Sequence, residues 1–290
     1  MKLAIITAHC GADCLEDAVR SWQGGDPTDA LVSPYYDFIA GEPPVFVVDG
    51  TKGMLRAYQN ALDPNIVLLA HYDILAFLHD DLLITEHPEK VDVAKNEPCG
   101  VCNHPCDRHE STAVCDPYRC MDCDCESFER NTWMRRVLKE FEDPTVGLVG
   151  FGGALIHGSP DLYRTPYKLQ NLGRGLYRSN VEDAEIHGER FTGECDVSVL
   201  DGFALIVRRE ILEKAGGWPV GKLDYINYDL WLCCMAHRLG YRIRLVGCKA
   251  LHLGGRTAVK LCKAASGEEY ERAHRYIYEN FADVLPYSVA

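Results

Sequence analysis

Apolar residues in the first third of the chain fall into three short unbroken runs, each closed by polar residues. They are Lys2–Thr7, the segment "PPVFVVDG" at 43–50, and Leu75–Leu78 within "ILAFLHDDLLI". A run without alternation suits a strand buried on both faces. Between the runs the spacing changes. Leu15 to Trp22 is helix-like, and "GMLRAYQNAL" (53–62) puts Leu55, Tyr58 and Leu62 on one helical face. Strand, helix, strand, helix, strand in this order predicts a parallel sheet with crossover helices. After residue 127 the pattern returns. A helix is predicted over "NTWMRRVLKEFEDP", closed by Pro144, and a strand over 145–156 with glycines at its end. A strand at Phe203–Val207 leads into a helix at 208–215, which Gly216-Gly217 and Pro219 end. The stretch "INYDLWLCCMAHRLGYRIRLVG" reads as a helix stopping near Gly240, then the strand Tyr241–Val246, and a terminal helix begins near Ser266.

Two stretches lack periodicity. Residues 86–127 are rich in Pro, Cys, Asp and His, and 157–195 is polar and weakly patterned. The expectation is an α/β fold: a Rossmann-like, mostly parallel sheet flanked by helices, as a single domain over 1–290. A Cys-rich insertion at 92–127 interrupts it.

The 290 residues carry a formal net charge of −13, which argues against nucleic-acid binding through a whole-surface positive field. The start "MKLAIITAHC" turns polar at once and reads as a first core strand rather than a signal peptide. No apolar run approaches the roughly 18–20 residues of a spanning helix. A soluble, cytoplasmic protein is expected.

Ligands of parallel α/β sheets collect at the carboxyl ends of the strands. Asp49 and the triplet His79-Asp80-Asp81 lie at such ends. Two adjacent carboxylates at the mouth of a buried strand must be solvated, paired or bound to a cation. In an extended segment they point to opposite sides, so one can hold a divalent ion while the other contacts a second part of the same ligand. The plain alternative is an acidic pair that ends a strand at the surface.

Taken in order, several segments resemble the GT-A fold glycosyltransferases of family 2. They are Val47-Val48-Asp49-Gly50, "AYQNAL" (57–62), "FLHDDL" (77–82), "VGLVGFGG" (146–153), "DGFALIVRREILEKAGGW" (201–218), "YDLWLCCMAHRLGYRI" (228–243) and His252-Leu253-Gly254-Gly255. His79-Asp80-Asp81 resembles a variant of the family's acidic motif with His in place of the first Asp. The resemblance implies a metal-dependent enzyme that moves a sugar from a nucleotide-diphosphate donor, a UDP-sugar by expectation, to an acceptor hydroxyl with inversion. It implies Mn²⁺ or Mg²⁺ on Asp81, the ribose at Asp80 and the base at Asp49. His252 would be a further metal ligand or diphosphate contact, or else a hydrogen-bonded loop histidine. Asp229 matches the family's catalytic base; the competing reading is that it caps the helix it begins. Arg256 and Lys260 would close over the diphosphate. Trp231 and Cys234 depart from the family pattern, which bears on acceptor recognition.

Fourteen cysteines are present, seven of them between Cys99 and Cys125. Cys99-x2-Cys102 and Cys120-x2-Cys123, separated by 17 residues, have the spacing of a four-thiolate Zn²⁺ site. Cys106, Cys115 and Cys125 remain, with His104 and His109 close by; Cys106, Cys115, Cys125 and His109 would make a second zinc site. Structural zinc is expected, with an iron–sulfur cluster or disulfides as alternatives. Cys233, Cys234 and Cys248 sit in apolar stretches and read as small hydrophobes.

Residues 162–181 reverse the local charge, with Arg164, Lys168, Arg174 and Arg178 interleaved with Tyr163, Tyr167 and Tyr177. They would contact phosphates and stack on bases or sugars, or else pack on the core. Beside the glycosyltransferase stand three other functions. One is a nucleotidyl transferase, disfavoured because "TAHCGADC" is not a basic Gly-rich loop. Another is a zinc-bearing nucleic-acid-binding protein on a degenerate GT-A scaffold. The last is a transferase acting on hydroxylated bases in DNA. The acceptor stays open among glycan, protein, small molecule and modified DNA.

Overall fold

A computed structural model describes residues 1–9, 15–23, 37–39, 44–51, 54–62, 71–86, 132–157, 177–183, 189–223, 226–253, 267–285 and 287–289. The Cys-rich insertion, including Cys99, Cys102, Cys106, His109, Cys115, Cys120, Cys123 and Cys125, lies outside the described residues, as do Arg256 and Lys260. The described strands are β1 (Leu3–His9), β2 (Asp37–Ile39), β3 (Val45–Asp49), β4 (Ile74–Leu78), β5 (Leu82–Ile84), β6 (Val146–Gly150), β7 (Gly152–Ala154), β8 (Ile156–His157) and β9 (Tyr177–Ser179). They continue with β10 (Val181–Asp183), β11 (Glu189–Arg190), β12 (Glu194–Val197), β13 (Val199–Leu200), β14 (Ala204–Arg208), β15 (Arg242–Val246), β16 (Ala250–His252) and β17 (Tyr287–Ser288). The helices are α1 (Leu15–Gln23), α2 (Met54–Ala61), α3 (Thr132–Glu140), α4 (Arg209–Ala215), α5 (Tyr228–Arg238) and α6 (Gly267–Phe281).

The fold is α/β, with an eight-stranded sheet in the order β12-β15-β6-β14-β4-β1-β3-β2. The strands β3, β1, β4, β6 and β15 run in one direction, and β2, β14 and β12 run against them. The unbroken apolar runs have a direct cause in this layering. Ala4, Ile6, Leu75, Phe77, Leu205 and Val207 face the layer that holds α2, α4, α5 and α6. Leu3, Ile5, Ile74, Ala76, Leu78, Ala204 and Ile206 face α1 and α3 on the other side. With both faces covered, these strands are apolar nearly throughout; Thr7 is a buried polar exception, and His9 and Arg208 stand at strand ends.

β14 separates the two parallel blocks. It pairs antiparallel with β4, setting Ala204 opposite Leu78, and antiparallel with β6 on its other edge. The residues leading into β14, Asp201 and Gly202, therefore stand at the same edge of the sheet as the carboxyl end of β4. A second sheet, β10-β16-β5, covers that edge, with β16 antiparallel to β5 and His252 opposite Leu82. α1 holds β5 in place. Trp22 Nε1 donates to the Leu82 carbonyl at 2.7 Å, and the Ile84 N–H donates to Ser21 Oγ at 2.9 Å. Arg136 on α3 donates to Glu86 at 2.8 Å and to Glu194 at 2.8 Å.

Two expectations change on folding. The strand foreseen at 145–156 is three strands, β6, β7 and β8, broken at Phe151 and Leu155. The unpatterned stretch 157–195 contains β9, β10, β11 and the start of β12, segments too short to display a period. Within it Tyr177 Oη donates to Asp201 Oδ2 at 2.9 Å, and Arg178 lies over the Phe191 ring. Both residues pack on the protein; the rest of the Tyr/Arg stretch, up to residue 176, lies outside the described residues. Arg208 is structural. It donates to the carbonyls of Phe141, Asp143 and Val146, tying α4 to the turn before β6. Cys233, Cys234 and Cys248 are buried, and burial pushes all three thiols well up.

Burial lowers the pKa of two histidines that pack the α5–α6 side. His237 donates from Nε2 to the Ser198 carbonyl and stacks on Tyr287, while His274 accepts from the Asn227 side-chain amide. Above their unfolded pKa, about 6.5, both states are neutral and contribute no pH dependence. Below it the unfolded chain takes up protons that the native rings refuse, so stability falls as pH falls. The urea midpoint should drop between pH 7.5 and 5.5, with a shallower slope in His237→Gln. An unchanged slope would show that His237 does not titrate this way.

Candidate functional site

Three parallel strands deliver their carboxyl ends side by side. In the β1–β3 register His9 pairs with Asp49, and β4 ends next to them at Leu78. The Asp49 carboxylate is exposed, and its Oδ1 accepts from the Thr51 N–H at 2.9 Å and from Thr51 Oγ1 at 2.6 Å. After Leu78 the chain turns rather than extends: the Leu82 N–H donates to the His79 carbonyl at 3.1 Å. Asp80 and Asp81 nonetheless diverge as expected, because each finds a different histidine. Asp80 Oδ2 lies 3.1 Å from His9 Nδ1, and Asp81 Oδ1 lies 3.3 Å from His252 Nε2. Both acids are only 3% exposed.

His79 completes a cluster. Its Nδ1 is 3.4 Å from His252 Nε2 and 3.9 Å from Asp81 Oδ1. These atoms form the group of three metal-capable ligands found among the described residues. The circumcentre of their triangle lies about 2.1 Å from each corner, the ordinary bond length from imidazole nitrogen or carboxylate oxygen to a small divalent ion. The set is therefore sized to hold such a cation. The fold assembles it across 173 residues: the Leu253 N–H donates to the Asp81 carbonyl at 3.0 Å, and the β5–β16 pairing fixes His252 there.

The protonation states suit a cation. Burial, reinforced by the neighbouring His252 and only partly opposed by Asp81, lowers the His79 pKa to about 4, so the ring is neutral at pH 7. Burial alone would raise the pKa of Asp81, but the hydrogen bond and charge of His252, with a contribution from His79, bring it below the usual range. Asp81 is ionised. The far side of His79 is also engaged, since its Nε2 lies 2.8 Å from Tyr228 Oη, which donates to the Gly202 carbonyl at 3.0 Å. Burial raises the Tyr228 pKa well above its ordinary value and keeps the phenol protonated.

Asp229 follows Tyr228 in the first turn of α5 and is buried. Its Oδ1 accepts from the Leu230 N–H at 2.8 Å, so half of the carboxylate satisfies a helix N-terminal donor. Its Oδ2 faces Gly202, whose added Cβ would lie 3.4 Å away. The N-cap itself is Asn227, held at φ 61° without a side-chain cap bond, and it is the sole positive-φ non-glycine among the described residues. Asn is among the non-glycine residues that adopt this left-handed conformation most readily. His274 holds its side chain.

No protein-family profile matches the chain, and no curated protein matches it in sequence. Among solved structures it is similar to A197 from STIV, at 13% identity and a TM-score of 0.41, over 86% of this chain and 83% of that one. It is also similar to the mannosyltransferase PcManGT from Pyrobaculum calidifontis in complex with GDP-Man and Mn2+, at 14% identity and a TM-score of 0.41, over 97% of this chain and 70% of that one. Likenesses this remote concern the path of the backbone alone.

The structure thus brings Asp81 and His252 together, sets Asp80 and Asp49 on the same strand edge, and links Asp229 to them through Tyr228 and Gly202. Three participants escape a reading of the sequence. His79 stands in the acidic motif as the substituted residue, and imidazole's standing as a common metal ligand was the available signal. His9 ends β1 as Asp49 ends β3, so the strand-end rule applies to it equally. Nothing in the sequence marks Tyr228.

A Cβ at position 202 would overlap Tyr228 Oη and its ring carbon Cζ at 2.8 Å. Gly202→Ala should displace the phenol and cost about 1–3 kcal/mol of stability by overpacking. Chemical denaturation measures this; unaltered stability would mean that the ring moves aside freely.

Proposed function

We propose that this protein is a metal-dependent glycosyltransferase that moves a sugar from a nucleotide-diphosphate donor to an acceptor hydroxyl with inversion. The observation that carries this reading is the meeting of Asp81, His252 and His79 at the carboxyl edge of the sheet, with Asp229 joined to them through Tyr228 and Gly202. The ordered motifs in the sequence supply the reaction class, and the convergence of these side chains at one edge of the sheet supports it.

In this reading Asp81 and His252, with His79, hold Mn²⁺ or Mg²⁺, which when bound neutralises charge on the departing diphosphate. Asp80, fixed by His9, faces the ribose, and the exposed Asp49 faces the base, uracil by expectation. Arg256 and Lys260 close on the diphosphate. Asp229 takes the acceptor's proton as the acceptor oxygen bonds to the anomeric carbon. The bond from that carbon to the diphosphate oxygen breaks, and the electron pair leaves with the nucleotide. The first turn of α5 favours negative charge at Asp229. The zinc sites of the 92–127 insertion are structural, and the acceptor class is what an insertion that begins eleven residues after Asp81 could help select.

The first test is a thermal-shift panel of UDP, GDP, CDP and ADP with and without Mn²⁺, on the wild type and on Asp81→Ala. A nucleotide at 100-fold its Kd should add about 2.7 kcal/mol to stability. The expected result is a Mn²⁺-dependent shift with UDP that Asp81→Ala abolishes; no shift with any nucleotide would overturn the reading. Once a donor sugar is found, Asp229→Asn should lower kcat by about 10²–10⁴-fold with donor affinity retained. Equal activity in that variant would remove Asp229 from the chemistry.

A further inference from the structure

The hydrogen bonds around His79 determine which of its nitrogens is free. Tyr228 Oη has one proton, and the Gly202 carbonyl 3.0 Å away can only accept, so the phenol donates there. Toward His79 the phenol oxygen is then an acceptor, and His79 Nε2, 2.8 Å away, must carry the ring's proton. A neutral imidazole protonated at Nε2 has a bare lone pair at Nδ1. That lone pair points at His252 Nε2 and Asp81 Oδ1. Any hydrogen in the 3.4 Å contact between the two rings therefore belongs to His252, which also donates to Asp81. A cation replaces that proton, and His252 stays neutral by carrying a proton on its other nitrogen instead.

We propose that Tyr228, anchored by the Gly202 carbonyl, is a positioning residue that locks His79 as a third metal ligand, making a two-imidazole, one-carboxylate site that selects Mn²⁺ and later first-row ions over Mg²⁺. The inference rests on the cation site of the transferase reading above and chooses between the two ions that reading leaves open. Its physical basis is the donor set. An all-oxygen site suits Mg²⁺ as well as Mn²⁺, whereas imidazole nitrogen favours the borderline ions in the order Mn²⁺, Fe²⁺, Co²⁺. Mg²⁺ moreover keeps its water and is held by carboxylates and phosphates. An imidazole at this corner, where a carboxylate would serve Mg²⁺, moves the site away from that ion. The enclosure supports the assignment. The His79 N–H donates to the Phe203 carbonyl at 3.0 Å, and the Phe203 ring packs 5.1 Å from the His252 ring, so both imidazoles are held by β14 and its entry.

The test uses metal-free protein and the metals alone, so a failure of nucleotide binding does not decide it. Mn²⁺ and Co²⁺ should each saturate a site at concentrations where Mg²⁺ does not, with Co²⁺ the tighter. Electron spin-echo modulation of the Mn²⁺ form should show two coordinated nitrogens in the wild type and one in His79→Ala. Tyr228→Phe should weaken Mn²⁺ by about 10–100-fold and alter the Co²⁺ ligand-field spectrum, which a purely structural role would leave unchanged. His79→Asp should recover Mg²⁺ binding. A single nitrogen in the wild type, Mg²⁺ as tight as Mn²⁺, or Tyr228→Phe with wild-type affinity and spectrum would each overturn the proposal. The wild-type nitrogen count decides the ligand even if the Tyr228 variant does not fold.

Discussion

Two carboxylates buried side by side at the end of β4 set the terms for this part of the molecule. Asp80 and Asp81 are each almost inaccessible, and an isolated carboxylate in such a place would protonate rather than remain charged. Each is instead supplied with an imidazole from a different direction, His9 from β1 and His252 from β16. The turn that separates the two acids lets both be served at once. The small sheet β10-β16-β5 and the hydrogen bonds from α1 keep β5, and hence that turn, in place. Much of the local architecture can be understood as support for that charge arrangement.

The antiparallel strand β14 has a comparable role on the other flank. By running against β4 and β6 it brings its own beginning, rather than its end, to the edge where ligands of parallel sheets gather. Gly202 and Phe203 enter the site this way, and with them the carbonyls that receive Tyr228 Oη and the His79 N–H. The Tyr228 phenol fills the space a Cβ at position 202 would need, with Asp229 Oδ2 in contact beside it. One backbone position therefore connects the cation cluster to the acid at the start of α5.

Neutral and charged groups are cleanly divided within the cluster. Burial keeps His79 neutral and Tyr228 protonated, while Asp81 is ionised despite its burial. A single negative charge flanked by two nitrogen donors suits a dication, and under the proposed function leaves that ion charge with which to attract the oxygens of a diphosphate. Asp229, the proposed base, is separated from that charge by the Tyr228 phenol and the Gly202 backbone.

By itself the sequence determined what depends on neighbouring residues. The runs Lys2–Thr7, 43–50 and Leu75–Leu78 specified doubly buried strands, and the spacing of Leu55 and Tyr58 specified α2, because burial acts on each residue where it stands. Glycine and proline punctuation placed the end of α4, and the strand-end acids marked the edge at which the polar side chains converge. Tertiary structure alone decided the rest. The strands β9 to β11 hold two or three residues each, too few for any period, and are defined by the strands that pair with them, β16 for β10, β7 for β9 and β9 for β11. The direction of β14 is a property of its neighbours, not of its own residues. The ligand triangle depends on contacts between His79, Tyr228 and His252, up to 173 residues apart, and no local pattern in the sequence shows that they meet. Hydrophobic periodicity is local and can be read along a chain; convergence of polar groups is a property of the packed sheet edge, and only folding creates it.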